Sequence, residues 1–193
     1  MRRSVVTLLF LSSVAVGLGR LSAQGQELPR ANTVVEPRAY VSLEPVPRGR
    51  AFEVAVVAKI RRGFHINANK VAQDYLIPTS IEAALPPGFR VLDTAYPPGI
   101  LRKFKFSAEE MLVYEGRTTL RMKLQALADA PLGPAKLALT LHYQACNEEA
   151  CLPPVKLPLH VEFTMAPAGA SAHPANSSIF QPSTPKTASP RSM

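Results

Sequence analysis

The sequence predicts an all-β protein folded as an antiparallel sandwich of two sheets. Three observations support this fold class. Proline makes up 19 of the 193 residues, which disfavours long helices. Four segments alternate apolar and polar residues with the period of two that is typical of strands. The turn sequences PRGR, LPPGF, YPPG and PLGP separate the predicted strands.

The strands follow one another along most of the chain. Strong alternation predicts strands at 52–60, 120–126, 137–143 and 155–163. In the first of these, Ala55 and Val57 interrupt the polar side, so that both faces are partly apolar. Weaker patterns predict further strands at 38–45, 78–84, 89–96 and 111–115. A short helix is predicted at 107–111, because Ser107 is suited to the N-cap position.

The chain begins with the layout of a secretory signal peptide, MRRSVVTLLFLSSVAVGLGRLSAQG. Two arginines precede an apolar run from Val5 to Leu18, and the predicted cleavage site follows Ala23. A membrane anchor is the alternative, but the run is shorter than the roughly 20 residues that cross a bilayer. We therefore expect export, with residues 1–23 removed.

The remaining chain divides into three parts. Residues 24–35 have no clear pattern and are interpreted as a leader. The strand pattern places the folded domain at 36–164, and the mature chain of about 170 residues suffices for one domain with its own core. Residues 165–193 are rich in Pro, Ala and Ser and contain no acidic residue. This composition predicts a disordered tail.

The charge of the protein is moderately basic. The chain has 22 basic and 14 acidic residues, a net charge of +8. The signal peptide contains three arginines and no acid, so the mature chain carries +5. The basic residues are scattered and Trp is absent, unlike the basic stripe and stacking residues of nucleic-acid-binding proteins. We predict no nucleic-acid partner.

The two cysteines lie in HYQACNEEACLPP, residues 142–154, with four residues between them. In an oxidising compartment, a Cys146–Cys151 disulfide is the expected resting state. Such a disulfide closes a loop of only about six residues and stabilises the fold by roughly 2 kcal/mol on the chain-entropy model. A structural staple therefore fits the residues, but a domain of this size does not require one.

Two other uses of the cysteines are open from the residues alone. In a redox pair, a short loop leaves the bond reachable for a partner thiolate. Glu148 and Glu149 disfavour a thiolate there, whereas His142 or Lys156 would favour one. In a metal site, both cysteines and His142 would be ligands, with His160 or a methionine as the fourth. The C-x-x-C spacing of structural zinc sites is absent.

The segment YQACNEEACLPP resembles the active-site segment of the N-terminal domain of the thiol:disulfide interchange protein DsbD. In that family a strand ends in Tyr-Gln-x-Cys, and a second cysteine follows shortly before a proline pair. The stretches GFHINANKVAQDYLIPTSIEAALPPGF, YPPG and LVYEGRTTLRMKL are similar to the family in order and spacing, so the likeness covers roughly 36–163. Four residues separate the cysteines here, where we expect five in the family. The resemblance implies an immunoglobulin-like antiparallel β-sandwich.

The resemblance also implies protein-disulfide reductase activity in the periplasm. The dithiol would receive electrons from a membrane-embedded thiol reductase through a thioredoxin-like carrier. It would pass them to exported disulfide isomerases or cytochrome c maturation proteins. As in the family, Cys151 would form the mixed disulfide and Cys146 would resolve it. No cofactor or small-molecule substrate is expected, because two sulfurs carry the two electrons.

Other parts of the chain take expected roles from the same resemblance. Nothing after residue 164 is similar to transmembrane helices or a thioredoxin domain, so we expect the electron donor on a separate chain. The family shields its cysteines with a cap loop that carries an aromatic residue, which matches Asp93 to Gly99 with Tyr96 as the cap. The other candidates for supporting the cysteines are Tyr143, Gln144, His65 and His142.

Two functions compete with disulfide exchange. One is an immunoglobulin-like binding or assembly module with an inert disulfide. The other is a periplasmic carrier of copper or zinc. Reduction potential distinguishes the first from a redox protein, because structural disulfides typically lie below about −300 mV.

Overall fold

The computed structural model describes residues 28–181, which form strands and turns with little helix. A 3-10 turn at Ala31–Thr33 and the helix α1 at Ser177–Phe180 are both short. The strands, in chain order, are β1 Val35–Val41, β2 Leu43–Glu44, β3 Val46–Pro47, β4 Ala51–Ile60, β5 His65–Asn67, β6 Ser80–Ala84, β7 Phe89–Ala95, β8 Ile100–Lys103, β9 Glu110–Glu115, β10 Arg117–Ala126, β11 Gly133–Tyr143, β12 Ala145–Cys146, β13 Val155–Ala166 and β14 His173–Pro174.

Two four-stranded sheets form the sandwich. Their orders are β1-β4-β10-β7 and β3-β13-β11-β6, and each pair is antiparallel except β3 with β13. Apolar side chains from both sheets, such as Val56, Leu120 and Leu139, are buried in one shared core. The predicted all-β, immunoglobulin-like antiparallel sandwich is confirmed.

An aromatic group lies in this core near the starts of β4 and β7 and the end of β13. Phe52 lies 5.4 Å from Phe163 and 6.3 Å from Phe89, and Phe89 lies 6.0 Å from Phe163, measured between ring centroids. The ring planes meet at 53° to 83°, the tilted or edge-on contacts that aromatic pairs prefer. We call these three residues the core aromatic cluster.

A third sheet carries the cysteine segment at the other end of the sandwich. Its order is β12-β5-β9-β8, and we call it the end sheet. Strand β12 continues β11 after Gln144, and β9 continues into β10 through Gly116. Gly116 has φ +63°, and Gly63, in the turn before β5, has φ +83°, conformations that favour glycine. These bends join the end sheet to strands of both main sheets.

The segment after residue 164 differs from the predicted disordered tail. Strand β13 extends to Ala166, and β14 pairs with β2. Arg121 on β10 donates hydrogen bonds to the carbonyl oxygens of Ile179, at 2.8 Å, and Gln181, at 3.2 Å. Residues up to 181 are therefore held against the sandwich.

The reason for this difference lies in the partly apolar outer face of β4. Val57 faces away from the core, yet it is only 5% exposed, and it lines the same cavity as Ile179. The C-terminal segment thus lies beside the outer face of β4, which the sequence pattern had already shown to be partly apolar.

The predicted signal peptide and residues 182–193 of the predicted tail lie outside the described residues.

The helix predicted at 107–111 is not formed. The Ser107 hydroxyl donates to Glu109 O at 2.7 Å and accepts from Glu109 N at 3.3 Å, which makes a local turn. Met111 is buried in β9 opposite Arg102. Local serine bonds and strand pairing therefore prevail over the capping signal.

Within 28–181, no helix is long and apolar enough to cross a membrane.

Candidate functional site

Cys146 and Cys151 form a disulfide across a tight hairpin. They lie directly opposite each other in an antiparallel bridge, with their Cα atoms 3.9 Å apart. Two backbone hydrogen bonds flank them, from Asn147 N to Ala150 O at 2.9 Å and from Leu152 N to Ala145 O at 2.8 Å. The cysteines thus form a non-hydrogen-bonded pair, the position at which antiparallel strands are closest.

Asn147 closes the turn between the cysteines. Its side-chain oxygen accepts hydrogen bonds from Glu149 N, at 2.9 Å, and Ala150 N, at 2.8 Å. Asparagine commonly stabilises turns through such bonds to the backbone that follows. The hairpin therefore has its own hydrogen bonds in addition to the sulfur–sulfur bond.

The two cysteines differ in their exposure. Cys146 is 0% exposed, whereas Cys151 is an exposed residue. A thiolate that exchanges with a disulfide must reach one sulfur and displace the other. Solvent access therefore favours attack on Cys151, with Cys146 as the leaving sulfur.

His65 is the cross-strand neighbour of Cys146. The pairing of β5 with β12 places these two residues opposite each other, so their side chains share one face of the end sheet. His65 is 3% exposed, and its Nε2 has no hydrogen-bond partner. Burial lowers the pKa of His65 to about 4, although the charge of Glu115 acts to raise it. The imidazole is thus neutral at pH 7 and lies beside the buried cysteine.

Two phenylalanines from the loop after β8 stack against His65. The Phe104 ring lies 4.0 Å from the His65 ring at 14°, and the Phe106 ring lies 5.4 Å from Phe104 at 9°. Phe104 is buried, whereas Phe106 is 40% exposed. The rings that stack on His65 therefore come from a loop that the sequence analysis did not single out. Its signal was the alternation of Phe with basic residues in LRKFKF.

Tyr96, the predicted cap, has a different set of contacts. Its hydroxyl oxygen accepts a hydrogen bond from Ile81 N at 3.2 Å, and its ring packs against the main core. These contacts tie the end of β7 to the edge strand β6. The cap role of Tyr96 stays a prediction. The aromatic rings that stack on His65, the residue opposite Cys146, are those of Phe104 and Phe106.

Gln144 connects the chain after Cys151 to β5. Its Nε2 donates to Leu152 O at 3.4 Å, and its Oε1 accepts from Asn67 Nδ2 at 3.4 Å. Asn67 is completely buried and also donates to Ile77 O at 3.0 Å. Gln144 therefore helps to position the residue that follows the exposed cysteine, and Asn67 is a supporting residue that sequence reasoning missed.

Tyr143 and His142 hold the strand that leads into the hairpin. The buried Tyr143 donates through its hydroxyl to Ala31 O at 2.9 Å, and burial raises its pKa to about 12. His142 Nε2 lies 3.4 Å from Glu82 Oε2 on β6. Both residues thus fix β11 against neighbouring chain segments.

Charged side chains surround the end sheet. Arg102 donates two hydrogen bonds to Glu115, at 3.1 and 2.8 Å. These bonds and the charge of Glu115 raise the pKa of Arg102, and the turn residue Glu148 acts in the same direction.

In the part of the chain that the structure describes, no group of three or more His, Cys, Asp or Glu residues is placed to hold a metal ion.

Two solved structures are similar to the described chain. One is the N-terminal domain of DsbD from Neisseria meningitidis in its reduced form, with 18% identity, a TM-score of 0.40 and coverage of 69% of this chain and 88% of that one. The other is the N-terminal periplasmic domain of ScsB from Proteus mirabilis, with 11% identity, a TM-score of 0.47 and coverage of 69% of this chain and 47% of that one. The chain thus spans about half of the ScsB domain.

No curated protein sequence matches the chain. The sequence model of the N-terminal region of the thiol:disulfide interchange protein DsbD matches residues 31–160. This match spans about two thirds of the chain and contains both cysteines. The chain therefore belongs to the family of DsbD N-terminal domains.

Proposed function

We propose that this protein is a periplasmic thiol:disulfide exchange domain that relays electrons through Cys146 and Cys151. Its electron donor is a membrane-embedded thiol reductase that acts through a thioredoxin-like carrier. Its acceptors are thioredoxin-like exported proteins, namely disulfide isomerases or cytochrome c maturation proteins. Family membership supports the type of reaction, and the signal-peptide layout of the first 23 residues supports export.

The different exposure of the two cysteines carries this proposal. A donor thiolate attacks Cys151 Sγ, the disulfide breaks, and Cys146 leaves and takes up a proton. A second donor thiol then displaces Cys151, which leaves the domain as a dithiol and the donor as a disulfide. In the next half-reaction, the Cys151 thiolate attacks the acceptor disulfide, and Cys146 resolves the mixed disulfide. Two electrons and two protons thus pass to the acceptor.

The hydrogen bonding of the hairpin supports exchange over an inert staple. The backbone bonds of Asn147 and Leu152 and the side-chain bonds of Asn147 close the turn independently of the sulfurs. The domain also has a large apolar core. Reduction of the disulfide should therefore leave the fold intact, with a loss of about 2 kcal/mol at most from this short loop.

The first test traps the covalent intermediate. Cys146→Ser should accumulate a mixed disulfide with a thioredoxin-like partner, because the resolving sulfur is gone. Cys151→Ser should form none, because the remaining cysteine is buried. Non-reducing electrophoresis followed by mass spectrometry identifies the linked sulfurs. The reverse pattern would overturn the assignment of the two roles.

The second test measures the reduction potential of the cysteine pair in the purified mature protein. Equilibration in thiol buffers followed by alkylation counts the free cysteines. A relay should lie in the thioredoxin-to-isomerase range, roughly −270 to −180 mV. A value well below about −300 mV would instead identify a structural disulfide, and the proposed function would then be wrong.

A further inference from the structure

We propose that His65 is the general base that takes the proton from Cys146 when this cysteine resolves the mixed disulfide. This inference rests on the function proposed above and assigns a chemical step to a residue outside the cysteine hairpin. It starts from the cross-strand position of His65 opposite Cys146 and from the unpartnered Nε2 of its buried ring.

The buried position of Cys146 creates the need for a base. A thiol must lose its proton before it attacks a disulfide, and burial in apolar surroundings disfavours the thiolate. Cys146 is completely buried and lies at the edge of the end sheet beside β5. A water molecule is therefore poorly placed to remove this proton, and a neighbouring protein group is better placed.

The unpaired ring nitrogen of His65 fits this role. A buried nitrogen without a hydrogen-bond partner is costly, and such groups are rare in folded proteins. In the oxidised protein, Cys146 has no hydrogen to donate. In the reduced protein, its S–H becomes a donor on the same face of the end sheet. This donor would supply the missing partner of His65 Nε2 when the ring carries its own proton on Nδ1. The stack with Phe104 fixes the ring plane in place.

His65 is the titratable group that lies directly opposite Cys146 in the pairing of β5 with β12. Burial keeps the imidazole neutral, since its pKa is lowered to about 4. Arg102 is engaged in its two hydrogen bonds with Glu115. The groups that face the His65 ring or line the same cavity are Glu115 on β9, Glu148 in the cysteine turn, and Arg61 and Arg62 before β5.

The step balances as follows. In the mixed disulfide, Cys151 is bonded to the acceptor sulfur, and Cys146 carries its proton. His65 Nε2 takes this proton while the Cys146 sulfur attacks Cys151 Sγ. The Cys146–Cys151 bond forms, the bond to the acceptor breaks, and the acceptor leaves as a thiolate that receives the proton from the imidazolium. The cysteine pair is oxidised by two electrons, and the acceptor disulfide is reduced by two.

The test uses the reduced mature chain and an aromatic disulfide, dithiobis(nitrobenzoate), which releases one coloured thiolate in each step. The first phase reports attack by Cys151, and the second reports resolution by Cys146.

The variant His65→Phe keeps an aromatic ring but removes the base. We expect the second phase to slow by about 100-fold near neutral pH, within the range for loss of a general base, with the first phase unchanged. His160→Phe, at an exposed histidine on β13, is the matched control and should change neither phase.

The pH profile separates a base from a packing residue. In the wild type, the proton stays within the protein, so the second-phase rate should be nearly constant from about pH 5 to pH 7.5. In His65→Phe it should rise about tenfold per pH unit with the thiolate fraction. A wild-type rate that rises tenfold per unit overturns the proposal without any variant. Equal slowing of both phases, or an unchanged second phase in folded His65→Phe or His65→Gln, overturns it as well.

The same experiment distinguishes the two proposals from each other. If the reduced wild type releases no second thiolate, Cys146 does not resolve the intermediate and the exchange function itself fails. If both phases occur but do not depend on His65, the exchange function stands and only the role of His65 is lost.

Discussion

The two ends of the sandwich each hold a group of three aromatic rings, but the two groups differ in geometry and in chemistry. The core aromatic cluster consists of phenylalanines that meet at 53° to 83°. At the site end, His65, Phe104 and Phe106 lie nearly parallel, with angles of 6° to 14°. One group is wholly apolar, and the other contains a titratable ring and an exposed edge.

This difference predicts a role in stability for the first group and, in the proposed exchange reaction, a role in reactivity for the second. The core aromatic cluster joins β4, β7 and β13, strands that belong to both main sheets. The site-end rings join β5 to a loop, and His65 among them lies opposite Cys146 of the disulfide. Changes at the first end should therefore alter folding, whereas changes at the second should alter reactivity. Three measurements test this comparison.

The largest expected effect is on stability at the core end. Phe163→Ala removes a buried ring that contacts both Phe52 and Phe89, so the free energy of unfolding should fall by about 3–5 kcal/mol. Urea unfolding measures this loss. The reduction potential of the folded variant should equal that of the wild type. A loss below about 1 kcal/mol, or a shifted potential, would remove the distinction between the two ends.

The second effect is an acid sensitivity that belongs to the site end. The pKa of His65 is about 4 in the folded protein against an ordinary value of 6.5 for histidine, so between these pH values the unfolded chain binds a proton that the folded chain does not. The free energy of unfolding should therefore fall as pH drops from 6.5 towards 4, by at most about 1.4 kcal/mol per pH unit.

This acid effect is isolated by comparison with a variant. Urea unfolding at several pH values should give a steeper fall for the wild type than for His65→Phe, because the variant lacks the titrating ring. Phe163→Ala should keep the wild-type slope, since it leaves His65 in place. Identical slopes in the wild type and His65→Phe would show that His65 is not the titrating group.

The smallest effect on stability is expected at the exposed ring of the site end. Phe106 is already 40% exposed, so Phe106→Ala should cost less than about 1 kcal/mol. Because Phe106 belongs to the stack on His65, which lies opposite Cys146, its removal should speed reduction of the disulfide by a small thiol several-fold. The protein is mixed with dithiothreitol, and alkylation of the free thiols at set times measures the rate of reduction. A slower or unchanged rate would mean that Phe106 does not shield the pair.

Much of the sandwich could be predicted from sequence because its strands obey a local rule. The segments at 52–60, 120–126, 137–143 and 155–163 match β4, β10, β11 and β13, since each buries one face in the same core. The short strands β5, β8 and β12 were missed. Two to four residues of strand give too little alternation to detect, and the pairing of these strands depends on distant parts of the chain.

The candidate site was predictable where the signal was local and missed where it was tertiary. The two cysteines and the neighbouring Gln144 lie in one motif, and the segment GFHIN pointed to His65. The stack of Phe104 on His65 depends instead on how the loop after β8 folds back, which no spacing reports. Chain order pointed to Tyr96, whose structural contacts are with β6 and the main core. The same limit applies to Asn67, because its partners Ile77 and Gln144 come from separate loops.

The single exposed sulfur of the hairpin also constrains the order in which partners can react with the protein. Since Cys146 is completely buried, the donor and the acceptor of the proposed relay would both have to use Cys151, and they could not occupy it together. The domain would therefore have to release one partner before it engaged the next, which is a ping-pong scheme. The rate of electron transfer would then depend on how quickly each partner dissociates, and an excess of either one would inhibit the other by competing for the same atom.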